Sequence, residues 1–251
     1  MLKIAKPTKI LLTVLFSIAI ISFAFAYFYY TSKNKAEDPR VVETKFMFQR
    51  FDLLMSETDY SSALLLLDTI EAVFSNIPCY RNSFETGIVL NNRGSAFLSM
   101  ALYEVEDSIE QQKLLGFAVE NIDSAIRIYK NWLNQYELLP AESIVKILEP
   151  CFNQEDKDFS NSNSKVVLKK RVEDVIQAQK ETKRRLSVSY TNLGIVKRHQ
   201  YHQNEAIECY KQAIELWDDN FTARNNFNVL MGNPPEKRSF IDQLFPPEKD
   251  K

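Results

Sequence analysis

The sequence predicts an all-α chain, and three observations lead there. Apolar residues recur at helical spacing along most of residues 41–232, and no stretch alternates at period two. Five glycines in 251 residues are too few for a turn-dense β-barrel or a Gly-rich nucleotide site. Residues 10–30 carry no charge and open the chain as one long apolar helix. A hydrophobic share of 45% is ample for a packed core and excludes wholesale disorder.

The run 10–30 reads ILLTVLFSIAIISFAFAYFYY, with only Thr13, Ser17 and Ser22 as small polar interruptions. A helix of that length measures about 30 Å, the thickness of a bilayer's hydrocarbon core. Lys3, Lys6 and Lys9 precede it without an acid, whereas Lys33 and Lys35 beyond it are opposed by Glu37 and Asp38. The imbalance predicts a transmembrane signal-anchor, with residues 1–9 cytoplasmic and the body on the extracytoplasmic, periplasmic side. Ala24-Phe25-Ala26 supports a second outcome, secretion after cleavage near Ala26. Tyr27, Phe28, Tyr29 and Tyr30 extend the run past that point and suit the outer interface, which favours retention. No cysteine stands near, so lipoprotein attachment is excluded.

Residues 31–40 read as a polar linker ending in Asp38-Pro39, a proline suited to a helix start. Phe46, Phe48, Phe51, Leu53 and Leu54 then predict a helix that breaks at Ser56-Glu57-Thr58-Asp59. Ala63, Leu64, Leu66, Leu67, Ile70, Val73 and Phe74 predict the next, stopped by Ile77-Pro78. Helices over about 85–103 and 110–136 follow, and Leu139-Pro140 breaks the pattern. Residues 153–164, NQEDKDFSNSNS, read as an exposed loop. Three more helices are expected over about 166–199, 204–217 and 221–231. Asn233-Pro234-Pro235 begins the tail, 233–251, where Phe240, Ile241, Leu244 and Phe245 share one face and are expected to cap the last helix, the alternative being a docking peptide for a partner.

These helices carry a repeat. Tyr190, Leu193, Gly194, Ala206, Tyr210 and Ala213 fall at the offsets of the tetratricopeptide (TPR) repeat, with Asp218 where its proline usually stands. Ala63, Leu67 and Ile70 fit an earlier unit. Gly94 with Ala118, Ile122 and Ala125 fits another. The chain therefore resembles the TPR family over about 43–231, with insertions near 105–117 and 138–165, and residues 222–227 are similar to the start of a capping helix. The resemblance implies antiparallel helix pairs stacked as a short right-handed solenoid. It also implies a concave groove lined by first helices, which places Asn91, Asn92, Ser95, Thr191, Asn192, Asn225 and Asn226 there. Amides both donate and accept, so such a row suits an extended peptide backbone. The family's carboxylate clamp needs Lys or Arg where this chain has Ile88, Asn91, Asn92, Val188, Thr191 and Asn192.

Chemistry is scarce. His199 and His202 have no evident third ligand, and no nucleophile elbow, P-loop, zinc-helix or calcium-loop pattern occurs. The carboxylate pairs Glu155-Asp156 and Glu173-Asp174 sit in polar stretches. No catalytic residue, metal or cofactor is expected. Lys165, Lys169, Lys170, Arg171, Lys180, Lys183, Arg184 and Arg185 read as the wet face of a long helix. The net charge is −2, and the body beyond residue 30 is more acidic still, which argues against nucleic acid. Cys79, Cys151 and Cys209 are widely spaced and odd in number; small buried hydrophobes are expected, the alternative being one bridge formed outside the cytoplasm, with no pair chosen. The sequence thus suggests a non-enzymatic, membrane-anchored adaptor or scaffold that binds a protein or peptide partner through its helical domain. The alternative is a structural subunit of a larger envelope complex. The chain's C-terminal end is similar to those of anchored repeat proteins accompanying MoxR-type ATPases and von Willebrand-type domain proteins.

Overall fold

The computed structural model describes residues 6–153, 157–160 and 162–237. Among them lie nine α-helices and no strand. The first, α1 (Lys6–Lys35), contains the apolar run and continues through 31–35, where a linker was expected. Among the described residues no helix is long and apolar enough to cross a membrane. In α1 the unbroken stretch of described side chains is 11–27, so Ile10 and residues 28–30 of the apolar run fall outside it. The last linker residues are not solvated either: Asp38 is buried.

The body follows as α2 (Val42–Ser56), α3 (Tyr60–Asn76), α4 (Phe84–Tyr103), α5 (Ser108–Tyr136), α6 (Ala141–Leu148), α7 (Ser164–His199), α8 (Gln203–Leu216) and α9 (Phe221–Leu230). Side-chain caps start several of them. Asp59, Asp107, Asn163 and Asn220 each accept a hydrogen bond from a backbone N–H in the first turn of α3, α5, α7 and α9. Three helices end alike. After α2, α7 and α9, a left-handed residue (Thr58, Tyr201 and Gly232) lets the next N–H reach back to the carbonyls of Leu54, Lys197 and Asn228.

Helices pack on their chain neighbours, α2 on α3, α3 on α4, α4 on α5, α7 on α8 and α8 on α9. Past the insertion α5 packs on α7, while α4 also meets α7 and α7 meets α9. Most residues at the expected repeat offsets are buried in this packing. Ala63, Leu67, Ile70, Ala118, Ile122, Ala125, Ala206, Tyr210 and Ala213 are all at 0% exposure. Glycine permits the closest approaches. A Cβ on Gly194 would stand 2.5 Å from the Tyr210 ring, and one on Gly94 would stand 2.4 Å from Ile122. Gly87, seven residues before Gly94, meets Tyr129, seven residues after Ile122, so α4 and α5 run antiparallel.

Several expectations need correction. Residues 105–117 do not form a loop insertion: Asp107 caps α5 at once, and the extra residues lengthen α4 and α5. The stretch read as an exposed loop holds Phe159 at 0% exposure, in a 3₁₀ turn, Lys157–Phe159, whose ring lies 5.9 Å from that of Phe152. Ile144 and Leu148 of α6 are buried with them, so this insertion belongs to the core. Among the cysteines, Cys79 and Cys151 form a disulfide across 72 residues with Cα atoms 6.3 Å apart, while Cys209 is free. Arg171, expected on a wet face, is 4% exposed. The tail's Phe240, Ile241, Leu244 and Phe245 lie outside the described residues. Short of them, the Glu236 N–H donates to Asn225 Oδ1 at 2.7 Å, turning the chain back along α9.

The interior divides into two apolar clusters. A smaller one joins α2 and α3 with Tyr80 and Val89, and a larger one runs from α4 to α7. Cys79 packs against both.

The glycine contacts make a direct test. Gly194→Ala drives a methyl into the Tyr210 ring and is expected to destabilise by about 1–3 kcal/mol. Gly116→Ala on α5, where an added Cβ meets nothing within 4 Å, is expected to stabilise by about 0.5–1 kcal/mol. Chemical denaturation of both variants checks the pair.

Candidate functional site

The expected groove residues are only partly brought together. Asn91 and Ser95 project from α4 toward α7, where Asn91 Oδ1 accepts from Ser189 Oγ at 2.8 Å and from Asn192 Nδ2 at 3.3 Å. Asn192 Nδ2 also donates to Ser95 Oγ at 3.0 Å. On the next face of α7, Thr191 Oγ1 donates to the Ser187 carbonyl and accepts from Asn220 Nδ2 at 2.9 Å. Asn220 in turn caps α9 and is 1% exposed. Asn91, Ser95, Thr191 and Asn192 therefore surround one cavity of about 210 Å³, with Val188, Asn220 and Thr222 completing its lining. Asn92, Asn225 and Asn226 stand off it. Asn225 holds the Glu236 N–H, and Asn226 Nδ2 donates to the Thr222 carbonyl at 3.0 Å.

The chemistry of this cavity follows from the amide pair. Asn91 spends its oxygen on Ser189 and Asn192, and Asn192 spends its nitrogen on Asn91 and Ser95. Turned the other way round, both amides still meet, because serine hydroxyls donate or accept equally well. In either arrangement one amide donor and one amide acceptor are left over on side chains that line the cavity. That is the complement of a peptide unit. Asn220, Ser187 and Ser189 were missed from sequence. Asn220 had a usable signal, standing just before a helical run as an N-cap does.

A second polar assembly lies where the two apolar clusters meet. Arg171 of α7 pairs with Glu85 of α4 through both terminal guanidinium nitrogens, Nη1 to Oε1 and Nη2 to Oε2, the latter at 3.1 Å. The guanidinium sits 4.1 Å from the Tyr80 ring centroid and 5.5 Å from that of Phe84. Burial works to lower the Arg171 pKa, but Glu85 and then Tyr80 outweigh it and hold the group above its ordinary value. Burial raises the Tyr80 phenol far above its usual range, so it keeps its proton and donates to Asp38 Oδ2 at 3.2 Å. Asp38 completes a bidentate pair with Arg40, at 3.0 and 2.8 Å. Arg40 Nη1 donates to the Cys151 carbonyl at 2.9 Å, and its guanidinium lies 4.6 Å from the Phe159 ring centroid. The segment after α1 is thus tied to α4, α7 and the disulfide by one chain of contacts.

The remaining reactive groups are separate. Burial pushes the Cys209 thiol up to about 11, which keeps it protonated and unreactive at neutral pH. Burial and then Arg198 lower the His199 pKa, while His202 Nδ1 is 3.4 Å from Glu205. Among the described residues no group of three His, Cys, Asp or Glu is placed to hold a metal ion. Compared with family models, curated proteins and solved structures, the chain matches none.

The buried pair yields a double-variant test. Glu85→Ala strands the Arg171 charge and is expected to cost about 3–5 kcal/mol. Glu85→Leu with Arg171→Met replaces both charges by apolar groups and is expected to recover most of that loss. Urea titration of the single and double variants checks the sign.

Proposed function

We propose that the chain is a non-enzymatic adaptor, anchored in a membrane by residues 10–30, whose helical body holds an extended segment of a partner protein outside the cytoplasm. The observation that carries the reading is the cavity between α4, α7 and α9, with its paired Asn91 and Asn192 amides. A donor and an acceptor side by side match the N–H and C=O of an extended backbone without demanding one sequence. The shared register of buried residues and Gly-to-large contacts on successive helix pairs supports a stack of the TPR kind, and first helices of such stacks face a groove.

The address has two supports. The lysines at 3, 6 and 9 precede an uncharged run of bilayer length. The Cys79–Cys151 bridge suits an oxidising compartment, as the extracytoplasmic side is. A second reading, a structural subunit of a larger envelope complex, draws on the apolar side chains left exposed on α2 and α3. Phe46, Leu53 and Leu65 are 66%, 45% and 69% exposed, and a neighbouring subunit would cover them.

Thr222→Arg separates the two. Thr222 is exposed at the cavity rim and takes no part in the amide network, so an arginine there obstructs the cavity while the fold stays intact. Purification of cross-linked full-length protein from membranes is expected to recover a partner from the wild type and lose it from Thr222→Arg. Undiminished recovery from the variant, combined with loss on Leu65→Glu, would favour the subunit reading.

A further inference from the structure

The Cys79–Cys151 bridge is more than a link between distant segments, because each cysteine adjoins a residue that grips the start of the body. Cys79 precedes Tyr80, whose hydroxyl donates to Asp38. The Cys151 carbonyl accepts from Arg40. Asp38 and Arg40 hold each other, and their side chains are 3% and 9% exposed. The bridge therefore closes a ring of contacts around residues 38–40, the only covalent path from α1 to α2. The bridge also borders open space. Both cysteines are half-buried and line a cavity of about 290 Å³ with Pro78, Asn82, Trp132 and Ile147.

We propose that this disulfide is an exchange site for a dithiol, and that opening it releases the grip on residues 38–40. A thiolate of the dithiol attacks one sulfur of the bridge and forms a mixed disulfide, expelling the other cysteine as a thiolate that takes up a proton. The second thiol of the reagent then displaces the remaining cysteine. The products are two protein thiols and the oxidised dithiol, a two-electron exchange. With the bridge open, the 77–83 turn and the 149–152 turn are no longer held together, and Tyr80 and the Cys151 carbonyl separate from the Asp38–Arg40 pair. The body remains folded on its apolar clusters, while the segment leading from α1 becomes free to move. This inference stands whether or not α1 lies in a bilayer.

Trypsin reads the outcome directly, because Arg40 is a cleavage site that the closed ring shields. The full chain in detergent micelles is treated with trypsin, with and without dithiothreitol, and the fragment beginning at Val41 is followed by mass. Cleavage after Arg40 is expected to be at least tenfold faster in the reduced protein. Cys79→Ser with Cys151→Ser is expected to be cut at the fast rate without reductant, and Cys209→Ser to respond as the wild type does. Cleavage after Arg127 in α5 is expected to stay slow throughout, with unchanged far-UV circular dichroism. An unaltered rate at Arg40 once thiol counting shows the bridge open would overturn the proposal. So would a bridge that opens only in denaturant, or cleavage at Arg127 rising in step with that at Arg40.

Discussion

One buried guanidinium sets the terms for the rest of the molecule. Arg171 is 4% exposed, at the seam between the α2–α3 cluster and the larger core. Taking a charge that far from water carries a penalty of several kcal/mol unless a counter-charge and hydrogen bonds meet it. Glu85 comes from α4, the Tyr80 and Phe84 rings from the turn before it and its first residue, and all must be in place together. The pair thereby fixes where α7 lies along α4. Through Tyr80 and Asp38 the same demand reaches the segment ahead of α2. A seam of apolar contacts alone would tolerate sliding; this one does not.

The two ends of the body are built differently in consequence. The end that receives α1 is braced by the polar chain, the disulfide and the α6 insertion, whose Phe152 and Phe159 pack under Arg40. The other end, where α9 packs on α8 and α7, is lighter: Ala223 is its buried residue, and its buried hydrogen bonds run between neutral amides and hydroxyls. Neutral groups are cheaper to desolvate than charged ones, which is what the proposed exchange of water for a peptide in this cavity requires. On the proposed reading the molecule is rigid toward its anchor and adaptable toward its partner.

Sequence alone reveals what one helix decides by itself. The spacing predicts a helix over 85–103, and α4 spans Phe84–Tyr103; the offsets of Ala206, Tyr210 and Ala213 mark residues that are all fully buried. Hidden from it is everything settled between distant segments. Arg171 and Glu85 are 86 positions apart, Ser189 and Asn91 are 98, and nothing local to any of them announces a partner. Phe159 looked solvated because its neighbours are polar, yet one aromatic side chain is enough to anchor a short turn to a core. Periodicity could not place Arg171 either, since its basic neighbours in sequence disguise a position that is buried. The cysteine pairing is hidden for the same reason: it depends on where α6 packs, and no spacing rule reports that.

Helix pairs that are independent repeat units open from the ends of their array, each contributing its own stability. A seam held by Arg171 predicts otherwise, coupling α2–α3 to the helices beyond it. Native-state hydrogen exchange tests this most directly, by comparing the amides of Leu67 and Ile70 in α3 with those of Ile122 and Ala125 in α5. All these residues are at 0% exposure, so burial alone does not distinguish them. The coupled account predicts that both sets exchange only through one common opening, with the same free energy and the same denaturant dependence. Exchange of Leu67 and Ile70 through a separate, lower-energy opening, with Ile122 and Ala125 still protected, would contradict it.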